Sequence, residues 1–145
     1  MAWQHAAVLA ETPPDGLRFV RCGVWIKPDG APQFTGDRPG TGWEAVAILH
    51  AAGGKMRWNG GGHHAVWTHG VERDVPGHPT PKPLALIRRW VRDFTDTGDL
   101  VIDPFAGSGT TLRACKDLGR RCIGVEQNAD YCEIAKRRLA QEVLL

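Results

Sequence analysis

Hydrophobic residues in the first half of the chain form short runs separated by gaps rich in proline and glycine. The opening MAWQHAAVLAE places small apolar residues on one helical face, and TPPDG follows it, so we predict a short helix that ends there. LRFVRCGVWIK (residues 17–27) is dense in aromatic and β-branched residues and predicts a strand. WEAVAILHAA (residues 43–52) predicts a buried strand and AVWTH an edge strand, whereas APQFTGDRPGTG (residues 31–42) predicts a mobile loop.

The second half of the chain shows a different pattern, in which helical and strand periods alternate. KPLALIRRWVRDF places Leu84, Ile87 and Val91 at helical spacing with arginines on the other face, which predicts an amphipathic helix. DLVID then predicts a short buried strand, Gly109 to Leu118 a helix, RCIGVE a second buried strand, and Asp130 to Gln141 a closing helix. This βαβα order indicates a parallel sheet with helices packed on its faces.

The composition of the chain argues against several classes of protein but does not by itself identify a function. The 145 residues are 42% hydrophobic with a net charge of +2, which suits one globular domain and gives no basic stretch that would indicate nucleic acid by charge alone. The four cysteines form no Cys-x-x-Cys pair, and His63, His64 and His69 lie in a glycine-rich loop without supporting ligands, so we expect no metal site. No signal peptide and no apolar run of about 18 to 20 residues is visible, so we expect a soluble cytoplasmic protein with reduced thiols and no membrane contact.

The glycine-rich stretch DPFAGSGTT (residues 103–111) joins the strand DLVID to the helix that follows it. Glycines in such a turn let a ligand approach the backbone, and the amides at a helix N-terminus are free to donate to it. Glu126 ends the next strand 19 residues after Gly107, a spacing typical of an acidic side chain that binds ribose hydroxyls. A dinucleotide fingerprint needs a third glycine where Leu112 stands, and a P-loop needs a lysine directly after Gly109. A nucleoside of low negative charge, such as S-adenosylmethionine, is therefore favoured over NAD, ATP or GTP.

DPFAGSGT resembles the S-adenosylmethionine motif of the DNA amino-methyltransferases, which methylate the exocyclic nitrogen of adenine or cytosine. HPTPKP (residues 78–83) and GRRCIGVEQNADYCEIAKRRL (residues 119–139) resemble the flanking segments of that family, although Pro81 replaces a polar residue. The resemblance implies an α/β fold with a parallel-dominated, Rossmann-like methyltransferase sheet, S-adenosylmethionine as cofactor and DNA as partner, with adenine ahead of cytosine as target base. The implied cofactor-binding residues are His78, Thr80, Lys82, Asp103, Pro104, Phe105, Ala106, Gly107, Ser108, Gly109, Thr110, Glu126 and Gln127.

The late position of this motif is similar to that in the permuted subgroup of the family, in which the catalytic half precedes the cofactor half. Residues 18–50 also resemble the middle of such methylases, particularly those of bacteriophages and their hosts. The resemblance therefore implies one domain over residues 1–145, a role in restriction-modification, and two halves. Residues 1–76 would be the remainder of the catalytic and target-recognition half, and residues 77–145 the cofactor-binding half.

The family's catalytic motif, an Asp, Asn or Ser followed by two prolines and an aromatic residue, is missing from this sequence, so the catalytic residues are unknown. TPPD (residues 12–15) has the two prolines only, and we interpret it as a helix-ending turn. By the resemblance DLVID is the first strand of the family's sheet and residues 17–27 the fifth, which leaves the sheet incomplete, with the third and fourth strands absent. We expect either a fragment or one part of a split enzyme, completed by a second chain or in a homodimer. The alternative is a non-catalytic subunit that binds cofactor or DNA.

Arginine and aromatic side chains in the long loops are candidates for DNA contact, since they suit phosphates and unstacked bases. The candidates are Arg38, Arg57 and Trp58, together with Trp43, which core packing explains as well. Lys136, Arg137 and Arg138, in contrast, predict a solvated face of the closing helix. The resemblance implies direct transfer, in which the amino nitrogen of an extruded base attacks the methyl group.

Overall fold

The computed structural model describes residues 2–73, 75, 77 and 80–141, which form two compact units. The first unit contains the described residues up to 57 together with residues 62–70. The second unit contains residues 58–61 and the described residues from 71 onward. Residues 58–61 thus belong to the second unit although they lie in the chain between two segments of the first.

The first unit is a three-stranded sheet with one helix packed on it. Helix α1 (Trp3–Glu11) precedes strands β1 (Leu17–Ile26), β2 (Trp43–Ala51) and β3 (Val66–Thr68), so the helix and the three strands predicted from the sequence are confirmed. β1 lies in the middle, antiparallel to β2 and parallel to β3. Residues 31–42 form neither helix nor strand.

Two tryptophans fill the core of the first unit. Trp25 and Trp67 are 3% and 5% exposed, and Ala45 of β2 is 2% exposed. A Cβ at Gly23 would lie 2.6 Å from a ring carbon of Trp67, so glycine makes room for that ring. β2 was predicted to be buried, but Ala45 is its single fully buried residue, because β2 lies at the edge of the sheet and pairs with β1 alone among the described strands.

β1 is the strand that the resemblance places next to the absent fourth strand of the family's sheet. Its one edge pairs with β2 along nearly its whole length, and β3 occupies the other edge at residues 24–26. On the side of β3, residues 17–23 of β1 pair with no other strand among the described residues, so the expected absence of a strand beside β1 stays a prediction. Within the part of the chain that is described, the outer edge of β2 pairs with no other strand either.

The second unit has the βαβα order predicted from the sequence. Helix α2 (Leu84–Phe94) precedes β4 (Leu100–Asp103), α3 (Thr110–Asp117), β5 (Arg121–Gly124) and α4 (Ala129–Ala140). β4 and β5 are parallel. None of the helices in the described ranges is long and apolar enough to cross a membrane.

The core of the second unit lies between α2, α3 and one face of the two-stranded sheet. Ile87 and Val91 of α2 pack against Ala114 and Cys115 of α3, which confirms the predicted amphipathic character of α2. Partly buried residues complete the cluster: Leu84, Trp90, Val101, Leu118 and Cys122. The helices thus hold β4 and β5 from a single side.

The other face of β4 and β5 is open among the described residues. Ile102 of β4 and Ile123 of β5 are 63% and 51% exposed, and Val125, directly after β5, is 57% exposed. The prediction that both strands are buried is therefore wrong for this face, because α2 and α3 cover only the side that carries Val101 and Cys122. Side chains of a strand alternate between faces, so covering one side leaves every second residue in solvent.

Charged side chains connect the three helices of the second unit. Asp117 of α3, whose side chain is 5% exposed, accepts from Nε of Arg113 at 2.8 Å and from Nε of Arg88 in α2 at 2.7 Å. Arg113 also donates through Nη1 to the carbonyl of Arg138 in the last turn of α4, at 2.8 Å. The C-terminal carbonyls of α4 thus receive a cation from α3, the charge that a helix C-terminus favours.

Candidate functional site

The turn between β4 and α3 has a backbone that requires glycine. Asp103 begins it by accepting a hydrogen bond at Oδ1 from the amide of Phe105, at 3.0 Å. Gly107 and Gly109 have φ values of 52° and 78°, in the left-handed region that glycine adopts without strain. A Cβ at Gly109 would also lie 2.7 Å from the Cβ of Ala135 in α4. Any larger residue there would push the turn away from that helix.

Backbone amides of the turn donate to atoms of the protein itself. The amide of Ala106 donates to the carbonyl of Val125 at 2.9 Å, that of Gly107 to Oε2 of Glu126 at 2.8 Å, and that of Gly109 to the carbonyl of Ala106 at 2.8 Å. These bonds fix the shape of the turn. The expectation of free amides concerns the N-terminus of α3, which begins at Thr110 after these positions, so it stays a prediction.

Glu126 joins the end of β5 to the turn that follows β4. Its Oε2 accepts from the Gly107 amide, and its Oε1 accepts from the amide of Asn128 at 2.9 Å. The spacing noted in the sequence thus corresponds to a direct contact between Gly107 and Glu126. Both carboxylate oxygens of Glu126 thus accept from backbone amides, which fixes the side chain at the end of β5.

The remaining sequence-predicted cofactor residues differ in exposure. Ala106 is 9% exposed and packs under the turn, whereas Phe105 is 87% exposed. The other exposed members lie beside the turn, after β5, or in the segment before α2: Pro104, Gln127, Thr80 and Lys82. His78 lies outside the described residues.

Ser108 and Thr110 point into the protein, where they contact Arg138. They are 2% and 6% exposed. Nη1 of Arg138 lies 2.9 Å from the carbonyl oxygen of Ser108 and 3.1 Å from each of the two hydroxyl oxygens. The prediction that Arg138 lies on a solvated face with its basic neighbours is wrong. It follows the buried Ile134 by four residues and so shares its helical face, which is the sequence signal that could have identified it.

The candidates for DNA contact have different environments. Arg38 and Arg57 are exposed in the first unit. Trp58 belongs to the second unit, where its Nε1 donates to the carbonyl of Gly61 at 2.7 Å and its ring centroid lies 5.1 Å from that of Phe94. Packing within the second unit therefore accounts for the position of the Trp58 side chain.

The TPPD segment is the helix-ending turn predicted from the sequence. The amide of Thr12 donates to the carbonyl of Val8 at 2.8 Å and ends α1, and the amide of Leu17 donates to the carbonyl of Pro14 at 3.0 Å. Asp15 is exposed at the position where the family's catalytic motif has its aromatic residue. No buried strand leads into this segment, so it does not present a catalytic group at a strand end.

The thiols of the second unit are neutral core groups. Cys115 is fully buried, and burial raises its pKa to about 12. Burial also raises the pKa of Cys122, which neighbours it. Both groups stay protonated near neutral pH, which argues against thiolate chemistry here. In the ranges that the structure describes, no three His, Cys, Asp or Glu side chains are grouped so that they could hold a metal ion.

Comparison with known proteins identifies relatives of this chain. The profile of the DNA methylase family matches residues 50–137. The type II methyltransferase M2.DpnII of Streptococcus pneumoniae is 44% identical over 81 residues, 53% of this chain and 30% of that protein. M.XycI of Xanthomonas campestris pv. cyanopsidis is 32% identical over 148 residues, 94% of this chain and 48% of that protein. The chain thus spans about half the length of such relatives, or less.

Solved structures resemble the chain as well. The crystal structure of the M1.HpyAVI–SAM complex matches it with a TM-score of 0.85 at 27% identity, over 97% of this chain and 72% of that chain. The cytosine-N4-specific PvuII DNA methyltransferase matches with a TM-score of 0.80 at 16% identity, a likeness of fold alone. The α/β fold class predicted from the sequence is confirmed.

Proposed function

This chain belongs to the N6/N4 DNA methylase family, and we propose that it binds S-adenosylmethionine and serves in the methylation of an exocyclic amino group of adenine or cytosine in DNA. Membership confirms the Rossmann-like methyltransferase fold inferred from the sequence.

The hydrogen bond between Gly107 and Glu126 carries this proposal. It connects the ends of two adjacent parallel strands at their carboxyl edge, which is where ligands bind in open α/β sheets. The carboxylates of Asp103 and Glu126 lie at these two strand ends, and the turn between them exposes little side-chain volume at Gly107. This arrangement suits a nucleoside whose hydroxyls donate to a carboxylate.

The same residues fit S-adenosylmethionine better than other nucleotides. No lysine follows Gly109 to hold a triphosphate, and Leu112 replaces the third glycine of a dinucleotide site. When bound, S-adenosylmethionine supplies a methyl group on a positively charged sulfur that a nitrogen can attack. The side chains of this chain would bind and orient the cofactor, a positioning role that accounts for much of enzymatic rate enhancement.

Within this site we propose distinct roles for the predicted residues. Glu126 accepts from the ribose hydroxyls, and Gly107 and Gly109 allow the cofactor to approach the backbone. The half-buried Asp103 and five exposed residues supply the remaining contacts, the latter being Pro104, Phe105, Gln127, Thr80 and Lys82. Ala106, Ser108 and Thr110 support the turn from below, since their side chains are buried.

We propose that DNA contacts come from the first unit. Arg38 and Arg57 are exposed cations in segments without regular structure, and such residues suit phosphate contact. Trp58 supports its own unit by packing on Phe94, so its part in DNA contact would be to hold the neighbouring Arg57 segment.

Methyl transfer also needs the acceptor and aromatic groups of the family's catalytic motif, which this sequence does not contain. We propose that a segment with this motif is supplied by further residues of the same polypeptide or by a second chain. A homodimer of this sequence alone would not supply it. The open face of β4 and β5 is a surface that such a segment could cover.

Calorimetric titration of the chain with S-adenosylmethionine and with NAD tests the cofactor proposal. We expect heat of binding with S-adenosylmethionine only. Binding of NAD in preference would contradict the proposal and favour an oxidoreductase.

Transfer of tritiated methyl groups to DNA of mixed sequence tests the proposal for the missing motif. The chain alone should transfer none, and digestion of DNA methylated by the completed protein should yield N6-methyladenine or N4-methylcytosine. Robust transfer by the chain alone would show that TPPD or another segment acts as the catalytic motif. Cofactor binding without any transfer in every combination would favour the non-catalytic subunit.

A further inference from the structure

The last turn of α4 places one cation directly beneath the glycine turn. Nη1 of Arg138 has three oxygen atoms within 3.1 Å, namely the carbonyl oxygen of Ser108 and the hydroxyl oxygens of Ser108 and Thr110. That nitrogen has two hydrogens, so at least one of them is shared between two acceptors. This contact joins α4 to residues more than 25 positions earlier in the chain, and it is unlike the local contacts of an ordinary surface arginine.

The partial burial of Arg138 explains why its guanidinium needs these acceptors. Removal from water lowers the pKa of Arg138, an effect that Glu72 opposes and Arg113 reinforces. A guanidinium stays protonated at any physiological pH even so, and a partly buried cation needs hydrogen-bond acceptors. Ser108 and Thr110 supply them, which explains why both hydroxyls face α4 and not solvent.

The contact fixes a particular peptide of the turn. The carbonyl of Ser108 and the amide of Gly109 belong to the same planar peptide unit. Arg138 binds the carbonyl, and the carbonyl of Ala106 accepts from the amide at 2.8 Å, so both ends of this unit are held. Two residues earlier, Glu126 holds the amide of Gly107. The glycine turn is therefore held by β5 on one side and by α4 on the other.

We propose that Arg138 is a positioning residue of the cofactor site, which keeps the Ser108–Gly109 peptide in the orientation that binds the cofactor. This inference rests on the proposed function of the turn. It predicts that affinity for S-adenosylmethionine depends on a side chain that acts through the turn. The neighbouring Arg137 offers a matched control, because it is exposed and its Nε lies 3.4 Å from the carbonyl of Glu133 in its own helix.

The experiment compares Arg138→Met, Arg138→Lys and Arg137→Met with the unchanged chain by calorimetric titration with S-adenosylmethionine, well below the melting temperature of each variant. Arg138→Met should weaken binding about 10-fold to 100-fold, the range found when residues that support metal ligands are removed. Arg138→Lys should restore part of the affinity, since an ammonium can still donate to the carbonyl. Arg137→Met should bind as the unchanged chain does.

Amide exchange at Gly109 distinguishes local loosening of the turn from a general loss of stability. In Arg138→Met this amide should exchange faster relative to core amides such as that of Ala114, whereas a general loss of stability would accelerate both equally. If the unchanged chain binds and Arg138→Met binds equally well, the inference is overturned while the proposed function stands. If the unchanged chain does not bind S-adenosylmethionine, the proposed function itself fails, and the inference fails with it. Should Arg138→Met not fold, Arg138→Lys decides alone, and affinity equal to that of the unchanged chain with equal exchange at Gly109 overturns the inference.

Discussion

Two segments of this molecule, the turn at residues 103–110 and the loop at residues 31–42, look alike in sequence and differ in structure. Both follow a strand, both are rich in glycine, and each displays a phenylalanine that is 87% exposed, Phe105 and Phe34. Backbone amides of the turn donate to fixed protein acceptors, and its last three residues, 108–110, are buried. Side-chain hydrogen bonds of the loop connect residues one or two positions apart, and nearly all of it is exposed.

The difference lies in partners that come from distant parts of the chain. β5 brings the carboxylate of Glu126 to the turn, and α4 brings the guanidinium of Arg138. Nothing comparable reaches the side chains of residues 33–38 among the hydrogen bonds of the described residues. Glycine content therefore predicts an irregular backbone but not its rigidity. We therefore predict that the turn is preorganised for a ligand, whereas the loop becomes ordered only when it binds one.

Adding a methyl group to one glycine in each segment gives the largest expected effect. Gly109→Ala should lower the free energy of unfolding by about 2 to 5 kcal/mol, because a left-handed alanine costs about 1 to 2 kcal/mol and overpacking against Ala135 about 1 to 3 kcal/mol. Gly36→Ala, with a φ of 66° and nothing within 4 Å of the added Cβ, should cost only the first of these. Urea denaturation measures both variants. Equal losses would show that the turn is no more tightly packed than the loop.

Removing a carboxylate from each segment sharpens the comparison. Glu126→Ala should weaken binding of S-adenosylmethionine by about 1 to 3 kcal/mol, since hydrogen-bonding groups of the ligand and of Gly107 lose their acceptor. Asp37→Ala, which removes an exposed carboxylate of the loop, should leave that affinity unchanged. Calorimetric titration measures both. Unchanged affinity of Glu126→Ala would exclude Glu126 from the cofactor site.

Amide exchange compares the two segments without any substitution. The amides of Ala106, Gly107 and Gly109 should exchange at least about tenfold more slowly than those of residues 31–42, a difference of about 1.4 kcal/mol in protection. Addition of DNA should then slow exchange in the loop. Exchange that is already slow in the free loop would contradict its assignment as a mobile segment.

The two exposed phenylalanines give the smallest expected effect. Phe105→Ala and Phe34→Ala should each change the free energy of unfolding by less than about 0.5 kcal/mol, because neither ring is buried. They should differ in their effect on ligand binding, because only Phe105→Ala should weaken the binding of S-adenosylmethionine. Thermal denaturation and calorimetry of the two variants measure this, and a loss of affinity in Phe34→Ala of the same size would remove the distinction between the segments.

Local patterns of the sequence were sufficient for most of the fold. The helical spacing of α2 and the βαβα order from β4 to α4 depend on neighbours three or four positions apart, so composition and periodicity locate them within a few residues. The spacing of 19 residues between Gly107 and Glu126 was also visible in the sequence, whereas the hydrogen bond between them was not predicted. These features are visible without knowing which surfaces meet.

Features that depend on long-range packing were not accessible in the same way. Whether β1 lies in the middle of its sheet depends on β3, a strand of only three residues. The exposure of Ile102 and Ile123 depends on which faces helices cover, and strand periodicity does not distinguish a covered face from an open one. Arg138 was misjudged because a run of three basic residues is usually solvated, although its position relative to Ile134 gave a signal.

The assignment of residues 58–61 to the second unit has a consequence for inheritance. Trp58 covers the ring of Phe94, and Asn59 donates from its backbone amide to the carbonyl of Asp93 at 2.6 Å and from Nδ2 to that of Thr95 at 2.9 Å, so these residues complete the end of α2. The polypeptide therefore passes between the units three times, and no single break in the gene separates them cleanly. A crossover between two related genes at the codon for Val71 would join an α2 from one parent to a Trp58–Asn59 pair from the other. Recombination should accordingly keep the Trp58–Asn59 segment and α2 from the same parent, although codons for residues of the first unit lie between them.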